Sequence, residues 1–243
     1  MSGLALHTSA KTATVVGGTG LVGGHLLRSL ARHRAYARVI CLSRSRPSGM
    51  ERLVGVEWQP LPELRTDAEG RDLIDVPPGA DFFSALGTTR AKAGSAEAFE
   101  RVDYGLNLAL ARGALAAGYG QYLLVSSVGS DPRSTFLYSR VKGTLEQEVK
   151  ELPFWGTHIF QPGLLLGERN DNRWGERLAK PLFRGLDRLT AGRLGRYRPV
   201  EAEVVAQAMV AAAQRTDGGI FTYTNDELQV LAEAFYRDRK SLT

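Results

Sequence analysis

The sequence is short of cysteine, of long apolar runs, and of acids near its start, and each shortage excludes something. Cys41 is the single cysteine, so no intramolecular disulfide can form. A lone thiol inside a predicted strand reads as buried and inert, and it fits a reducing cytoplasm, which is the expected location. No apolar stretch approaches the roughly 18 residues a membrane helix needs, so no membrane association is expected. The opening MSGLALHTSAK lacks the charged region and long apolar stretch of a secretory signal. Cysteine and histidine do not recur at zinc-binding spacing, so no metal site is expected.

Acids are missing before Glu51, whereas Arg28, Arg32, Arg34, Arg38, Arg44 and Arg46 all precede it. A second basic stretch runs from Arg169 to Arg198, and the formal net charge is +5. Such surfaces attract phosphates, nucleic acid or acidic substrates. No DNA-reading module or aromatic platform accompanies the charge, so nucleic acid has little support as a partner. The 243 residues, 43% of them hydrophobic, suffice for one large α/β domain over 1–243, with 168–243 including a small lobe that covers the substrate.

What the chain does have is alternation of strands and helices. TATVV at 12–16 reads as a buried strand, and Gly17-Gly18-Thr19-Gly20-Leu21-Val22-Gly23-Gly24 follows at once. Apolar residues then recur at helical spacing from Leu21 to His33. Strand, glycine turn and helix is the context of a dinucleotide fingerprint, here with glycines at 17, 20 and 23. Gly17 permits the tight turn, Gly20 the approach of a pyrophosphate, and Gly23 the packing of helix on strand. Free N–H groups near Leu21 and Val22 would hold phosphate oxygens. The Gly-Lys-Ser/Thr ending of a P-loop is absent.

A second strand over 38–42 ends in Ser43-Arg44-Ser45-Arg46. An NAD binder places an acid near this position to hold the ribose 2′-hydroxyl. A guanidinium suits a 2′-phosphate instead, so NADP(H) is expected over NAD(H). Further strands are expected at 54–58, 80–86, 121–125 and 156–161, with a short helix near 68–73 and a long one from Ser95 to Gly118. Gly87, Thr88 and Thr89 continue the fourth strand towards the ligand crevice, and Ser126-Ser127 ends the fifth. Beyond 167, helices are expected at 172–189, 200–214 and 225–240, with a short strand at 220–224. The pattern predicts a doubly wound parallel sheet.

Tyr138 and Lys142 stand four positions apart in a predicted helix, which puts them on one face about 6 Å apart. A cation beside a phenol favours its ionised form, and such a phenol trades protons with a carbonyl or alcohol near neutral pH.

GGTGLVGG, SSVGS, YSRVK and QPGLLLG, each placed after a strand, together resemble the short-chain dehydrogenase/reductase superfamily of the extended or atypical kind. More narrowly, LGTTRAKAG at 86–94, FLYSRVKGTLE at 136–146 and PGLLLGER at 162–169 are similar to the Tat-interacting-protein oxidoreductases and their bacterial relatives. That resemblance implies a small NADPH-binding protein. It implies that Thr19, Gly20, Leu21 and Val22 meet the pyrophosphate, and that Ser43, Arg44 and Ser45 meet the 2′-phosphate end. Leu86, Gly87, Thr88, Pro162 and Leu165 would line the cofactor, and Arg173 would reach it from the lobe. Tyr138 would be the proton donor, Lys142 would bond the nicotinamide ribose, and Ser127, rather than Ser126, would hold the carbonyl oxygen. Relatives often pair through the two long helices after the fourth and fifth strands, so the resemblance also implies a homodimer. Two departures stand out: many extended members have Arg where Gln161 stands and Asn near Asp103.

The leading expectation is therefore an NADPH-dependent reductase of a small aldehyde or ketone. Two alternatives compete. One is a non-enzymatic NADPH sensor that binds a protein partner. The other is epimerase or dehydratase chemistry on the same fold.

Overall fold

The computed structural model describes residues 10–167 and 197–240. Its centre is a seven-stranded sheet in which every neighbouring pair is parallel. The strands are β1 (Lys11–Val16), β2 (Tyr36–Ser43), β3 (Val56–Pro60), β6 (Asp81–Ser84), β7 (Gln121–Val125), β8 (Gly156–Gln161) and β11 (Gly219–Thr224). Their order across the sheet is β11-β8-β7-β6-β1-β2-β3. The chain runs outward from β1 to β3 on one side and restarts at β6 on the other. That reversal opens a crevice above the carboxyl ends of β1 and β6, where doubly wound folds bind ligands.

Alternation along the strands builds two cores from one sheet. Val15, Phe83 and Leu123 point to one face, where they meet α1 (Leu21–Leu30) and α6 (Ala202–Ala212). Their neighbours Val16, Phe82 and Leu124 point to the other, against α4 (Asn107–Ala116) and α5 (Leu137–Lys150). Strands buried on both faces read as continuous apolar runs, which is why these segments stand out in the sequence. Each wholly buried Phe of the set contributes about 1.5–3 kcal/mol.

Three segments differ from expectation. The stretch near 68–73 is no helix: β4 (Leu64–Thr66) pairs antiparallel with β5 (Asp72–Ile74). Between them Gly70 adopts φ +76°, and Asp67 accepts from the N–H groups of Glu69 and Arg71, so turn chemistry prevails over weak helical periodicity. The expected 95–118 helix begins and ends as read. Ser95 Oγ caps the Ala98 N–H at 3.1 Å, and Gly118 takes φ +83° past the end. Its middle is altered, because α3 (Ala96–Glu100) passes into a π-helical turn over Arg101–Leu106 before α4. A short α2 (Arg90–Ala93) precedes it.

Of the range 168–243, the described part extends the central sheet. Strand β11 pairs with β8, and α6 and α7 (Asn225–Lys240) pack on the α1 face. A two-stranded piece, β9 (Leu165–Leu166) with β10 (Val200–Glu201), connects this part to the crevice. The helix expected at 172–189 lies outside the described residues.

Candidate active site

The glycine turn after β1 forms as its spacing requires. Gly17 has φ +80°, and a side chain there would run into the Ala85 carbonyl of the neighbouring strand end. A Cβ on Gly23 would strike the Gly17 carbonyl, so the first turn of α1 can seat only on glycine. Gly20 precedes α1 with no side-chain cap, and the first turn carries no acid. Leu21 and Val22 therefore start a helix whose N-terminal dipole faces the crevice uncompensated, an arrangement that fits an anion. Thr19 is exposed beside it.

At the end of β2, Arg44 and Ser45 are exposed at the crevice rim, with Arg46 beyond them. Ser43 is placed differently from its expected role at the 2′-phosphate end. Its hydroxyl is buried, donates to the Ser45 carbonyl at 2.7 Å and accepts from Trp58 Nε1 at 3.1 Å. It shapes the loop that presents Arg44. Cys41 is wholly buried, and burial pushes its thiol up, as an inert core cysteine requires.

Above β6, Leu86 is half-buried and Gly87 exposed. The Thr88 N–H donates to Asp103 Oδ2 at 2.8 Å. Pro162 is buried, with its carbonyl accepting from the Val128 N–H at 2.9 Å, and Leu165 lies half-buried on β9. Arg173 lies outside the described residues.

Helix α5 carries two stripes. Val141, Leu145 and Val149 bury against the sheet. Tyr138, Lys142 and Glu146 form the adjacent stripe, at i+4 intervals, and run from the crevice mouth into the protein. Tyr138 is 47% exposed, with its ring 5.8 Å from that of Phe99 on α3. Lys142 is buried, and its Nζ lies 2.8 Å from Asp103 Oδ1. Glu146, also buried, accepts from the Ser126 hydroxyl and from Gln161 Nε2. Ser126 is thereby committed to the interior. Ser127 is less buried, its hydroxyl making only a 3.4 Å contact to the Val128 carbonyl, so it is the serine free to turn to a ligand.

The structure thus gathers the glycine turn, Arg44, Gly87, Thr88, Ser127, Tyr138, Lys142 and Leu165 around the carboxyl ends of the parallel strands. Sequence reasoning did not foresee the roles of Glu146 and Asn107. Glu146 continues the i+4 stripe of Tyr138 and Lys142, a signal that was present. Asn107 stands four residues after Asp103 in the same way, and its contacts show only in three dimensions. Among the described residues no cluster of three or more His, Cys, Asp or Glu side chains could hold a metal, and no helix is long and apolar enough to cross a membrane.

No protein-family model matches the chain. Curated proteins do. It is 38% identical over 216 residues to Protein FMP52-1, mitochondrial, of Scheffersomyces stipitis, covering 84% of this chain and 89% of that one. It is 36% identical over 213 residues to Protein fmp52, mitochondrial, of Emericella nidulans, covering 84% and 88%.

The chain belongs to the Fmp52 family.

Solved structures give the fold of this Fmp52 relative. MoeE5 in complex with UDP-glucose and NAD superposes with a TM-score of 0.59 at 16% identity, over 91% of this chain and 81% of that one. A UDP-N-acetylglucosamine 4-epimerase from Methanobrevibacter ruminantium gives 0.60 at 14%, over 90% and 80%. The PhqB reductase domain from Penicillium fellutanum gives 0.57 at 14%, over 88% and 66%. These likenesses show the fold, a Rossmann-type parallel sheet flanked by helices. The likeness to Tat-interacting-protein oxidoreductases rests on the sequence motifs alone.

One expectation is overturned. The relatives are named as mitochondrial proteins, so the reading of a cytoplasmic protein does not stand. A single buried thiol forms no intramolecular disulfide in any compartment, so cysteine usage could not distinguish one reducing compartment from another.

Proposed function

We propose that this Fmp52 protein is an NADPH-dependent oxidoreductase that reduces a small aldehyde or ketone. The observation that carries the reading is the convergence of Tyr138 and Lys142 with the uncapped start of α1 at one crevice. The residues present fit a dinucleotide. The glycine turn tolerates no Cβ, the α1 N-terminus offers free N–H groups without a competing acid, and Arg44 supplies a guanidinium where an NAD binder would carry a carboxylate. Bound there, NADPH supplies the hydride.

The chain's own residues do the rest. The exposed phenol of Tyr138 gives its proton to the carbonyl oxygen as charge develops there. The Ser127 hydroxyl donates a hydrogen bond to the same oxygen. Lys142, held from below by Asp103, steadies the phenol and holds the cofactor's ribose. Leu165 and Pro162 form an apolar wall that keeps water from the reacting carbon. The relatives' names support a mitochondrial setting for this chain as well.

A second reading, epimerase or dehydratase chemistry, draws on the titles of structural neighbours such as the UDP-N-acetylglucosamine 4-epimerase. A third, the NADPH sensor, requires no Tyr138 chemistry. The deciding experiment is NADPH oxidation against a panel of aldehydes and ketones, with wild type beside Tyr138→Phe. Turnover that collapses in the variant while NADPH binding persists supports the reductase. Firm binding with no turnover on the panel favours the sensor, and retained NADP(H) with sugar-nucleotide interconversion favours the epimerase.

A further inference from the structure

Asp103 sits in the π-helical turn at Arg101–Leu106. Such turns are rare and concentrate at functional sites. This one is held open deliberately: Asn107 Nδ2 donates to the Val102 carbonyl at 3.1 Å and to the Leu86 carbonyl at 3.3 Å, and Asn107 Oδ1 accepts from the Ser84 hydroxyl at 2.6 Å. The carbonyl that the widened turn releases is thus satisfied by a side chain.

The Asp103 carboxylate is fully buried and divides its two oxygens. Oδ2 takes the Thr88 N–H at 2.8 Å, in the loop that lines the crevice. Oδ1 forms an ion pair with Lys142 Nζ at 2.8 Å, and among the described residues it accepts no hydrogen bond. The side chains of the pair are 5% and 1% exposed. A Cβ on Gly87 would lie 3.2 Å from Oδ1 and 3.6 Å from Nζ, so the crevice floor is laid directly over the pair. One carboxylate therefore joins the loop after β6, the π-helical turn and the Tyr138 helix.

We propose that Asp103 is a positioning residue for Lys142: it holds the ammonium at the crevice floor by charge, supplies its counter-charge, and leaves its N–H protons for the cofactor's ribose hydroxyls and the phenol side. This rests on the dinucleotide reading of the site. An isolated buried ammonium is strongly disfavoured, so loss of the carboxylate displaces the lysine head towards solvent.

The test compares Asp103→Asn, Lys142→Met and the double variant in the full-length protein. NADPH affinity is read by fluorescence titration, and kcat and KM with a carbonyl that the wild type reduces. Asp103→Asn is expected to weaken NADPH binding about tenfold and lower kcat about a hundredfold, with the carbonyl KM changed by less than about threefold. The double variant should match Lys142→Met to within about twofold in both readouts, because asparagine keeps an oxygen for the Thr88 N–H and what it loses acts through Lys142. Multiplying effects, or NADPH affinity unchanged in Asp103→Asn, would overturn the proposal. If Asp103→Asn does not fold, the comparison of the double variant with Lys142→Met decides: a further fall in NADPH affinity on adding Asp103→Asn counts against it. Additive affinities in a protein that binds NADPH defeat this inference alone. A wild type that does not bind NADPH defeats the dinucleotide reading and this inference with it.

Discussion

Gln161 Nε2 lies 3.0 and 2.9 Å from the two carboxylate oxygens of Glu146, and this contact is what makes a buried acid tolerable beneath the crevice. An amide and the Ser126 hydroxyl serve the acid here. Gln161→Leu removes a donor and keeps the volume similar, so the variant should lose about 1–3 kcal/mol of unfolding free energy. Urea denaturation measures it, and Glu146→Gln, which no longer needs a charge satisfied, should lose less in the same assay.

Arg44 stands exposed at the rim beyond β2, without an acid at its side in the sequence. If it meets a 2′-phosphate, Arg44→Ala should weaken NADPH about 10- to 100-fold, the worth of one charge-assisted contact. NADH affinity should stay within about twofold, since NADH lacks that phosphate. Equal losses for both cofactors would show that Arg44 serves the loop rather than the phosphate.

Gly17 combines φ +80° with a path blocked by the Ala85 carbonyl. Gly17→Val should therefore abolish dinucleotide binding and lower stability by about 1–3 kcal/mol from backbone strain. A variant with wild-type NADPH affinity would remove the glycine turn from the binding site.

His158 lies at the other end of the sheet and is fully buried. Gln121 Nε2 is spent on Asp81 and the Ala213 carbonyl, so its Oε1 accepts from His158 Nε2–H at 3.0 Å. The Tyr223 hydroxyl then donates to Nδ1 at 3.0 Å, which fixes a neutral ring. Burial first, then the Arg215 charge, pushes the imidazole down from 6.5 to about 4. The unfolded chain thus binds the extra proton more readily. The stabilisation is complete above about pH 6.5, declines as the pH falls, and is gone below about pH 4. The whole decline amounts to about 3 kcal/mol. Denaturation curves across that window should show it, and His158→Asn should flatten the slope relative to wild type.

Much of the fold was legible because parallel strands buried on both faces write continuous apolar runs, and the helix between β1 and β2 writes its own period. The hairpin of β4 and β5 was missed because its two three-residue strands are too short to show alternation. The π-helical turn was missed because the contacts that hold Asn107 beside it, to Ser84 and Leu86, come from the end of a separate strand. Tyr138 and Lys142 could be paired on paper because four residues of helix fix their spacing. Ser43 was drawn to the cofactor by its position after β2, yet Trp58, 15 residues away, takes its hydroxyl.

Local patterning along the chain sets the sheet's main strands, the glycine turn at 17–23, and the helix that presents Tyr138 beside Lys142. These follow from forces acting within a few residues: side-chain period, steric freedom at glycine, and capping. Tertiary structure alone decided which carboxylate partners Lys142, which serine stays free, and which tautomer His158 holds. Each of those depends on groups brought together from distant strands and helices inside a dry core, where an unpaired charge or hydrogen-bond donor is too costly to persist, and no local pattern in the chain records that closure.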